Sequence, residues 1–355
     1  MNINSNAVLS HWCEDARACD FLSIDTEFKW EKTYWPQLCL VQLATRESIA
    51  IIDVLADLDL NALSSLLTRD AQLKIFHAAK QDLEVLDFFG FEKLESVMDC
   101  QIAAALIGLE EQIGYGPLVS KLLDINLDKS QTRTDWTIRP LTGAQREYAA
   151  NDVRYLEPIS RFMHTELNKL GRLSWLREDC TQLHSNISPE SRRRDAWIKV
   201  RGWGKLETAA FELLVELAAW REKLAQEKNL PRSWVLTDTQ LTGLACDAPA
   251  TLRQLAQILK DKGAIVRKHG DELLEITKRN NSDYVLKILR PTNLNLEQRN
   301  WVKAMKSVVK EQAQSLEISP SVLCSGNDLK CLAKGEIPLR LKSGWRRQFL
   351  TMMLE

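Results

Sequence analysis

One apolar run that suddenly carries two carboxylates constrains this chain more than any other stretch. In Phe21-Leu-Ser-Ile-Asp-Thr-Glu-Phe28 the acids are Asp25 and Glu27, two residues apart. On a strand, residues i and i+2 leave the same face, so the two carboxylates would project together and repel unless something positive lies between them. A divalent cation is the natural counter-ion. Taken alone, the triplet suits an exposed strand end with two solvated acids equally well.

Beyond Phe28 the pattern alternates between strand and helix. Leu38–Ala44 and Ser48–Asp53 read as two further strands around a polar turn, which predicts an antiparallel meander. Leu60–Leu67 has helical leucine spacing, Leu73–His77 is strand-like, and Ala78–Phe89 is helical, as an α/β domain requires. Asp82 lies in the first turns of that last helix, where it either adds a carboxylate to a site or simply favours the helix N-terminus. His77, at a strand end, fits a ligand or a packed side chain. An alanine-rich helix runs from Ile102 to Ile107. The segment Lys129-Ser-Gln-Thr-Arg-Thr-Asp-Trp136 with Arg139-Pro-Leu141 is basic enough to meet phosphates, yet Trp136 and Pro140 would also pin a loop to a core. Thr142 and Gln145 spell a capping box that opens a helix on which Tyr148 and Asp152, four apart, share one face. Both could then address one metal and one water, or simply border an amphipathic helix.

At 355 residues the chain calls for at least two domains. The eight cysteines form no Cys-x-x-Cys pair, and Cys324 and Cys331 have no histidine beyond them, which argues against a zinc or disulfide framework. No stretch approaches the ~20 apolar residues that span a bilayer, and Met1–Phe21 has no leader pattern, so the expectation is a cytoplasmic protein without a membrane partner. Charge is divided along the chain. Met1–His184 carries 18 Lys+Arg against 28 Asp+Glu, a balance of −10, and the remainder carries 29 against 20, or +9. An acidic half suited to cations joined to a basic half suited to phosphates fits a metal-dependent nuclease.

Ser185–Arg194 breaks the apolar pattern and marks a boundary, beyond which the chain reads as helices. A shift of 88 residues aligns Ala225-Gln226 with Ala313-Gln314, Ser233 with Ser321, Leu241 with Leu329, and Leu244-Ala245 with Leu332-Ala333. Two copies of a small helical domain would explain this. The expected division is 1–184, a linker at 185–204, a first helical domain at 205–288 and a divergent second at 289–355.

Asp25-Thr-Glu27, His77 with Asp82, and Tyr148 with Asp152 occur in this order within one α/β domain. Together they resemble the DEDD exonuclease superfamily, in the subgroup with tyrosine in its third motif. The Lys129–Trp136 and Arg139–Leu141 segments and Tyr148-Ala-Ala-Asn-Asp-Val-Arg-Tyr-Leu156 resemble the bacterial ribonuclease D family more specifically, and the two helical repeats resemble HRDC domains. The likeness covers nearly the whole chain. It departs in the second repeat, where Val322-Leu-Cys-Ser-Gly-Asn-Asp-Leu329 replaces Trp234-Val-Leu-Thr-Asp-Thr-Gln-Leu241.

The resemblance implies a ribonuclease H-like fold with a mixed five-stranded sheet, followed by two all-α HRDC-like domains. It implies two divalent ions, Mg²⁺ or Mn²⁺. Asp25, Glu27 and Asp152 would hold the one that binds the attacking water, and Asp25 with Asp82 the other. Tyr148 would orient that water, and Lys129, Arg133 and Arg139 are candidate RNA contacts. The implied activity is 3′-to-5′ exoribonuclease, releasing nucleoside 5′-monophosphates, with precursor transfer RNA tails as the substrate class. A DNA exonuclease with the same acids is the alternative within the enzymes, and a nucleic-acid-binding module with weak nuclease activity is the alternative outside them. No protein partner can be inferred.

Overall fold

The structure is a computed structural model that describes residues 1–128, 130–132, 134–184, 189–278 and 294–354. The first elements are β1 (Asn2–Ile3), α1 (Asn6–Ala16), β2 (Phe21–Lys29), β3 (Gln37–Ala44), β4 (Ile49–Asp53) and α2 (Asn61–Leu67). Next come β5 (Leu73–Phe76), α3 (Lys80–Phe89), β6 (Val97–Asp99), α4 (Cys100–Leu106) and α5 (Tyr115–Leu123). The domain continues with α6 (Gly143–Arg154), α7 (Leu156–Lys169) and α8 (Leu173–Thr181).

The strands form one sheet in the order β1-β4-β3-β2-β5-β6. β3 and β4 pair antiparallel, whereas β2 with β5 and β5 with β6 pair parallel, so the sheet is mixed, as expected. It has one strand more than the expected five. The two-residue β1 adds to the β4 edge in parallel register, because Ile3 drops fully into the core and holds the short segment there.

Strand periodicity explains what lies on each face of β2. Leu22 and Ile24 join Val41, Leu43, Ile52 and Phe76 in a core shared with Leu9 of α1, Leu63 and Leu66 of α2, and Leu83 and Leu86 of α3. Phe21, with Ile75 and Met98, belongs to the opposite core, shared with α4, α7 and α8. Asp25 and Glu27 continue the Phe21 series along that second face. β2 itself lies between β3 and β5 in the middle of the sheet.

The helices beyond residue 188 are α9 (Pro189–Arg194), α10 (Thr208–Lys228), α11 (Arg232–Val235), α12 (Asp238–Asp247), α13 (Leu252–Ile258) and α14 (Gly263–Lys278). After them come α15 (Leu296–Ser315), α16 (Pro320–Leu323), α17 (Gly326–Leu332) and α18 (Leu339–Lys342). Residues Met1–Lys29, Leu38–Ser185 and Asn293–Glu355 make one compact unit, and Trp30–Gln37 with Asn186–Thr292 make a second. The boundaries expected at 184 and 288 fall at or beside undescribed residues.

In the first unit, Val302, Val309 and Ala313 of α15 and Val322, Leu323 and Trp345 enter the same apolar core as α4, α7 and α8. Polar contacts secure this seam. Arg346, almost fully buried, bonds both oxygens of Asp179, and Arg172 donates to the carbonyls of Leu106 and Leu316. Gly344 has a positive φ of 86°, and a Cβ there would overlap the Glu178 carboxylate, which accepts the Trp345 N–H at 2.9 Å.

In the second unit, Phe211, Leu214 and Leu217 of α10 pack with Leu241, Leu244, Leu255 and Leu273. Tyr34, from the segment that joins β2 to β3, is buried in this core. Its hydroxyl bonds Glu222 and accepts from Gln226 at 3.2 Å, while the Arg232 guanidinium lies 5.0 Å over its ring.

Candidate active site

β2 delivers Asp25 and Glu27 to one face, and α6 brings Asp152 over them. One ligand oxygen from each of these three carboxylates lies within 4.8 Å of the other two. The capping box that starts α6 is complete. Thr142 accepts the Gln145 N–H at 3.1 Å, and the Gln145 side chain accepts the Thr142 N–H at 2.9 Å. This fixes where the helix begins, and therefore the height at which Tyr148 and Asp152 emerge.

The fourth acid, Asp82, is buried in the first turn of α3 and lies outside that three-carboxylate cluster. Thr26, between the two β2 acids, donates its hydroxyl to Asp82 at 2.5 Å. The acids feel one another's charge. Burial and then the neighbouring carboxylates push Glu27 up to about 10, and burial and then Asp82 push Asp152 up to about 7. Asp25 and Asp82 are raised well above the usual carboxylate range, by burial first and by Asp152 and Asp25 respectively. Carboxyls crowded in this way favour a bound divalent cation, and an all-oxygen donor set suits a hard one. The residues present therefore fit the metal use that the sequence implies.

Asp99 carries no motif in the sequence, yet it positions the helix that carries Asp82. It caps α4 by accepting from Gln101 and Ile102, and its two oxygens also accept the N–H groups of Ala78 and Ala79 at 3.0 and 2.9 Å. Ala78 has a positive φ of 60°, a conformation that L-residues avoid, and it lies just before the start of α3. The sequence signal is an Asp immediately before a helical run, the ordinary mark of an N-cap.

Tyr148 is half-buried, with its ring centroid 6.0 Å from that of Trp136. Burial, and then the Asp152 charge, push its phenol up to about 12, so the hydroxyl keeps its proton. Trp136 is buried against Leu141 and Ala149 and pins its loop to the core. Lys29 extends that attachment by bonding Asp135 at 2.5 Å. His77 is a packed side chain. Its Nε2 lies 3.0 Å from the Ile113 carbonyl, and burial lowers its pKa.

The three candidate RNA contacts fare differently from the acids. Lys129 and Arg133 lie outside the described residues. Arg139 is corrected. Its Nε and Nη2 bond the two oxygens of Asp53 at 2.5 and 2.6 Å, Nη1 reaches the carbonyls of Trp136 and Ile138, and Nη2 also reaches that of Cys39. A guanidinium has five N–H donors, and all five are satisfied within the protein. Arg139 is a clamp between β4 and the loop before α6.

The 3′-5′ exonuclease family model matches residues 1–168, and the HRDC domain model matches residues 210–277. Ribonuclease D of Acidiphilium cryptum is 33% identical over 354 residues, covering 98% of this chain and 90% of its own. The chain belongs to the ribonuclease D family. Ribonuclease D of Pseudomonas paraeruginosa is similarly 33% identical, covering 98% of this chain and 94% of its own. The crystal structure of Escherichia coli RNase D, described as an exoribonuclease involved in structured RNA processing, superposes with a TM-score of 0.85 at 31% identity over 100% of this chain and 97% of that one. As a member of this family, the chain is a 3′-to-5′ exoribonuclease acting on RNA, and its fold and acidic cluster imply the use of a divalent metal. Among the described residues, no helix is long and apolar enough to cross a membrane.

Proposed function

We propose that this ribonuclease D trims 3′ tails of precursor transfer RNA and other small structured RNAs, releasing nucleoside 5′-monophosphates. The observation that carries the reading is the convergence of Asp25, Glu27 and Asp152, with Asp82 linked to the same strand through Thr26. Asp25, Glu27 and Asp152 would hold one divalent ion and Asp25 with Asp82 a second, Mg²⁺ or Mn²⁺. When bound, such ions relieve negative charge at the phosphate and acidify an attacking water. The chain's own part is to orient that water through the Tyr148 hydroxyl, to keep β2 and α6 in register, and to hold Asp82 in place through Asp99.

We also propose that 289–355, of which residues 294–354 are described, is a second, divergent HRDC-like copy. The 88-residue shift supports this at the level of elements. It carries α11 (Arg232–Val235) onto α16 (Pro320–Leu323), and the capping box of Thr237 and Gln240 onto that of Ser325 and Asp328. Beyond this point the copies diverge, since only the four-residue α18 stands where α13 would map.

The deciding experiment offers the full chain 3′-extended transfer RNA and a matched single-stranded DNA with Mg²⁺, beside an Asp25→Asn variant. The expected result is 5′-monophosphate release from the RNA, and a loss above ~10²-fold in the variant, given that a metal supplies several kcal/mol and ~1.4 kcal/mol is a decade in rate. Equal cleavage of the DNA would favour the general exonuclease. A folded Asp25→Asn variant within tenfold of the parent would remove Asp25 from the site.

A further inference from the structure

Four cations on α15 form a single row. Arg299, Lys303, Lys306 and Lys310 succeed one another at intervals of four, three and four residues, the spacing that keeps side chains on one helix face. All four are exposed, and none of their side chains has a hydrogen-bond or ion-pair partner among the described residues.

Among the described residues, some exposed helical cations elsewhere are paired along their own helix, while others, such as Lys121, Arg253 and Lys268, stand alone without forming a row of four. Arg161 is bridged to Glu157, Lys169 to Glu166 and Lys223 to Glu227, each within one helical turn. On α15 the acids Glu297 and Glu311 are turned to another face, at positions that cannot alternate with the row. A row of like charges at these intervals works against the helix that carries it. The chain tolerates it on a helix whose other side is committed, since Val302, Val309 and Ala313 lock α15 into the core of the catalytic unit. The row therefore has a fixed direction. Over its twelve residues it extends roughly 17 Å.

We propose that this row is a docking surface for the ribose-phosphate backbone of the RNA substrate, upstream of the 3′ end that the acids process. Charge complementarity carries the assignment, because a straight line of exposed cations matches a line of phosphates and reads no base. Trp301, the aromatic on the same helix, packs into the core and offers no stacking platform. The surface is separate from the catalytic acids. α15 packs on α16 and α17, and no catalytic acid lies on the helix. On this proposal a dinucleotide needs only the acids, whereas a structured RNA with a 3′ tail engages the row as well. The inference rests on the exoribonuclease reading and adds to it where the body of the RNA is held.

The test uses the full chain and a quadruple variant, R299Q/K303Q/K306Q/K310Q. Binding of a fluorescent hairpin RNA with a single-stranded 3′ tail is measured in EDTA across a salt series, so that nothing is cleaved. The expected result is a tenfold or larger loss of affinity, and a log-affinity against log-salt slope that is shallower by about 2 or more, since each lost phosphate contact removes ~0.7–0.9. Mg²⁺-dependent hydrolysis of a diribonucleotide should stay within twofold of the parent. Should the quadruple variant melt early, the double variant K303Q/K306Q is expected to show about half the slope change. An unchanged slope and affinity in a folded variant would overturn the proposal. So would an unchanged RNA slope with lost retention on phosphatidylglycerol vesicles, which would give the row to an anionic surface instead. If the parent binds RNA with the expected salt slope but hydrolyses none, the activity is what fails, and the comparison of slopes still stands.

Discussion

Trp175 and Trp345 lie face to face, with ring centroids 4.2 Å apart and planes 5° apart. Arg172 stands 5.1 Å over the first ring and Arg346 4.2 Å over the second. This stack belongs to the apolar core of the catalytic unit. Trp345→Ala should therefore cost about 3 kcal/mol or more, the usual loss for a buried tryptophan, and Trp345→Phe clearly less. Urea unfolding of the full chain measures both. A loss under about 1 kcal/mol for the alanine variant would make the contact peripheral.

Asp99 receives four backbone N–H groups, two at the start of α4 and two just before α3. Asp99→Ala should lower stability by about 2–4 kcal/mol, because charged acceptors of buried donors are expensive to remove. Turnover should fall as well, since the helix that positions Asp82 loses its anchor. Asp99→Asn keeps one acceptor oxygen and should rank between the alanine variant and the parent. A variant with full stability and full turnover would remove this role.

The acids make stability depend on pH in the direction opposite to a salt-bridged carboxylate. Asp152 and Glu27 have folded-state values of about 7 and about 10, above their ordinary ones, so across that interval the folded protein binds more protons than the unfolded chain. Stability of the metal-free protein is then complete below about pH 4 as far as these groups are concerned, and it declines as pH rises through 7 and beyond. Added Mg²⁺ or Mn²⁺ binds the ionised forms, so the rise in Tm that it produces should grow with pH. Melting curves from pH 5 to 9, with EDTA or with metal, read both trends. Asp152→Asn should flatten the first. A metal increment that does not change with pH would count against the acids as ligands.

Tyr148→Phe removes only the hydroxyl. Turnover should drop on the order of 10²-fold, as for loss of a positioned proton-handling group, with RNA affinity nearly unchanged. The phenol keeps its proton up to about pH 12, so the pH–rate profile below 10 should keep its shape in the variant. Lost RNA binding or early melting would show Tyr148 to be a packing residue.

Gln42 on β3 is fully buried, and both atoms of its side-chain amide lack a partner among the described residues, as does Ser23 Oγ on β2. Gln42 is paired across the sheet with Ile51, and Ser23 with Ile75, which places both on the face that carries Asp25. Gln42→Leu, of similar volume, should raise stability by about 1–2 kcal/mol, because it deletes polar atoms that burial leaves unsatisfied. Thermal unfolding decides it, and a lowered Tm would mean that the amide has a partner in solution.

The capping box of α6 and the alternation of strand and helix are legible in the sequence because each obeys a local rule of spacing, whereas the acids and Tyr148 stand out only through the joint resemblance of their motifs to the exonuclease family. Arg139 misleads for a physical reason. A basic residue in a polar loop looks the same whether it meets phosphate or a distant carboxylate, and Asp53 is 86 residues away. Asp99 escapes notice because a cap is visible only toward its own helix, whereas its second pair of N–H groups comes from about 20 residues earlier. The joint core of α15 with α4, α7 and α8 is likewise hidden, since an apolar helix face does not declare its partner.

The eight residues Trp30–Gln37 run on directly from the strand that bears Asp25 and Glu27, yet they are built into the helical unit. The backbone thus enters that unit twice, once between two strands of the sheet and once after residue 185. The unit is therefore not a cassette that can be clipped from one end. A cut at 185 leaves Tyr34 without the pocket that Glu222, Gln226 and Arg232 provide, on a loop rooted in the catalytic strand. Recombining HRDC units among relatives would succeed only where this loop is exchanged together with its socket.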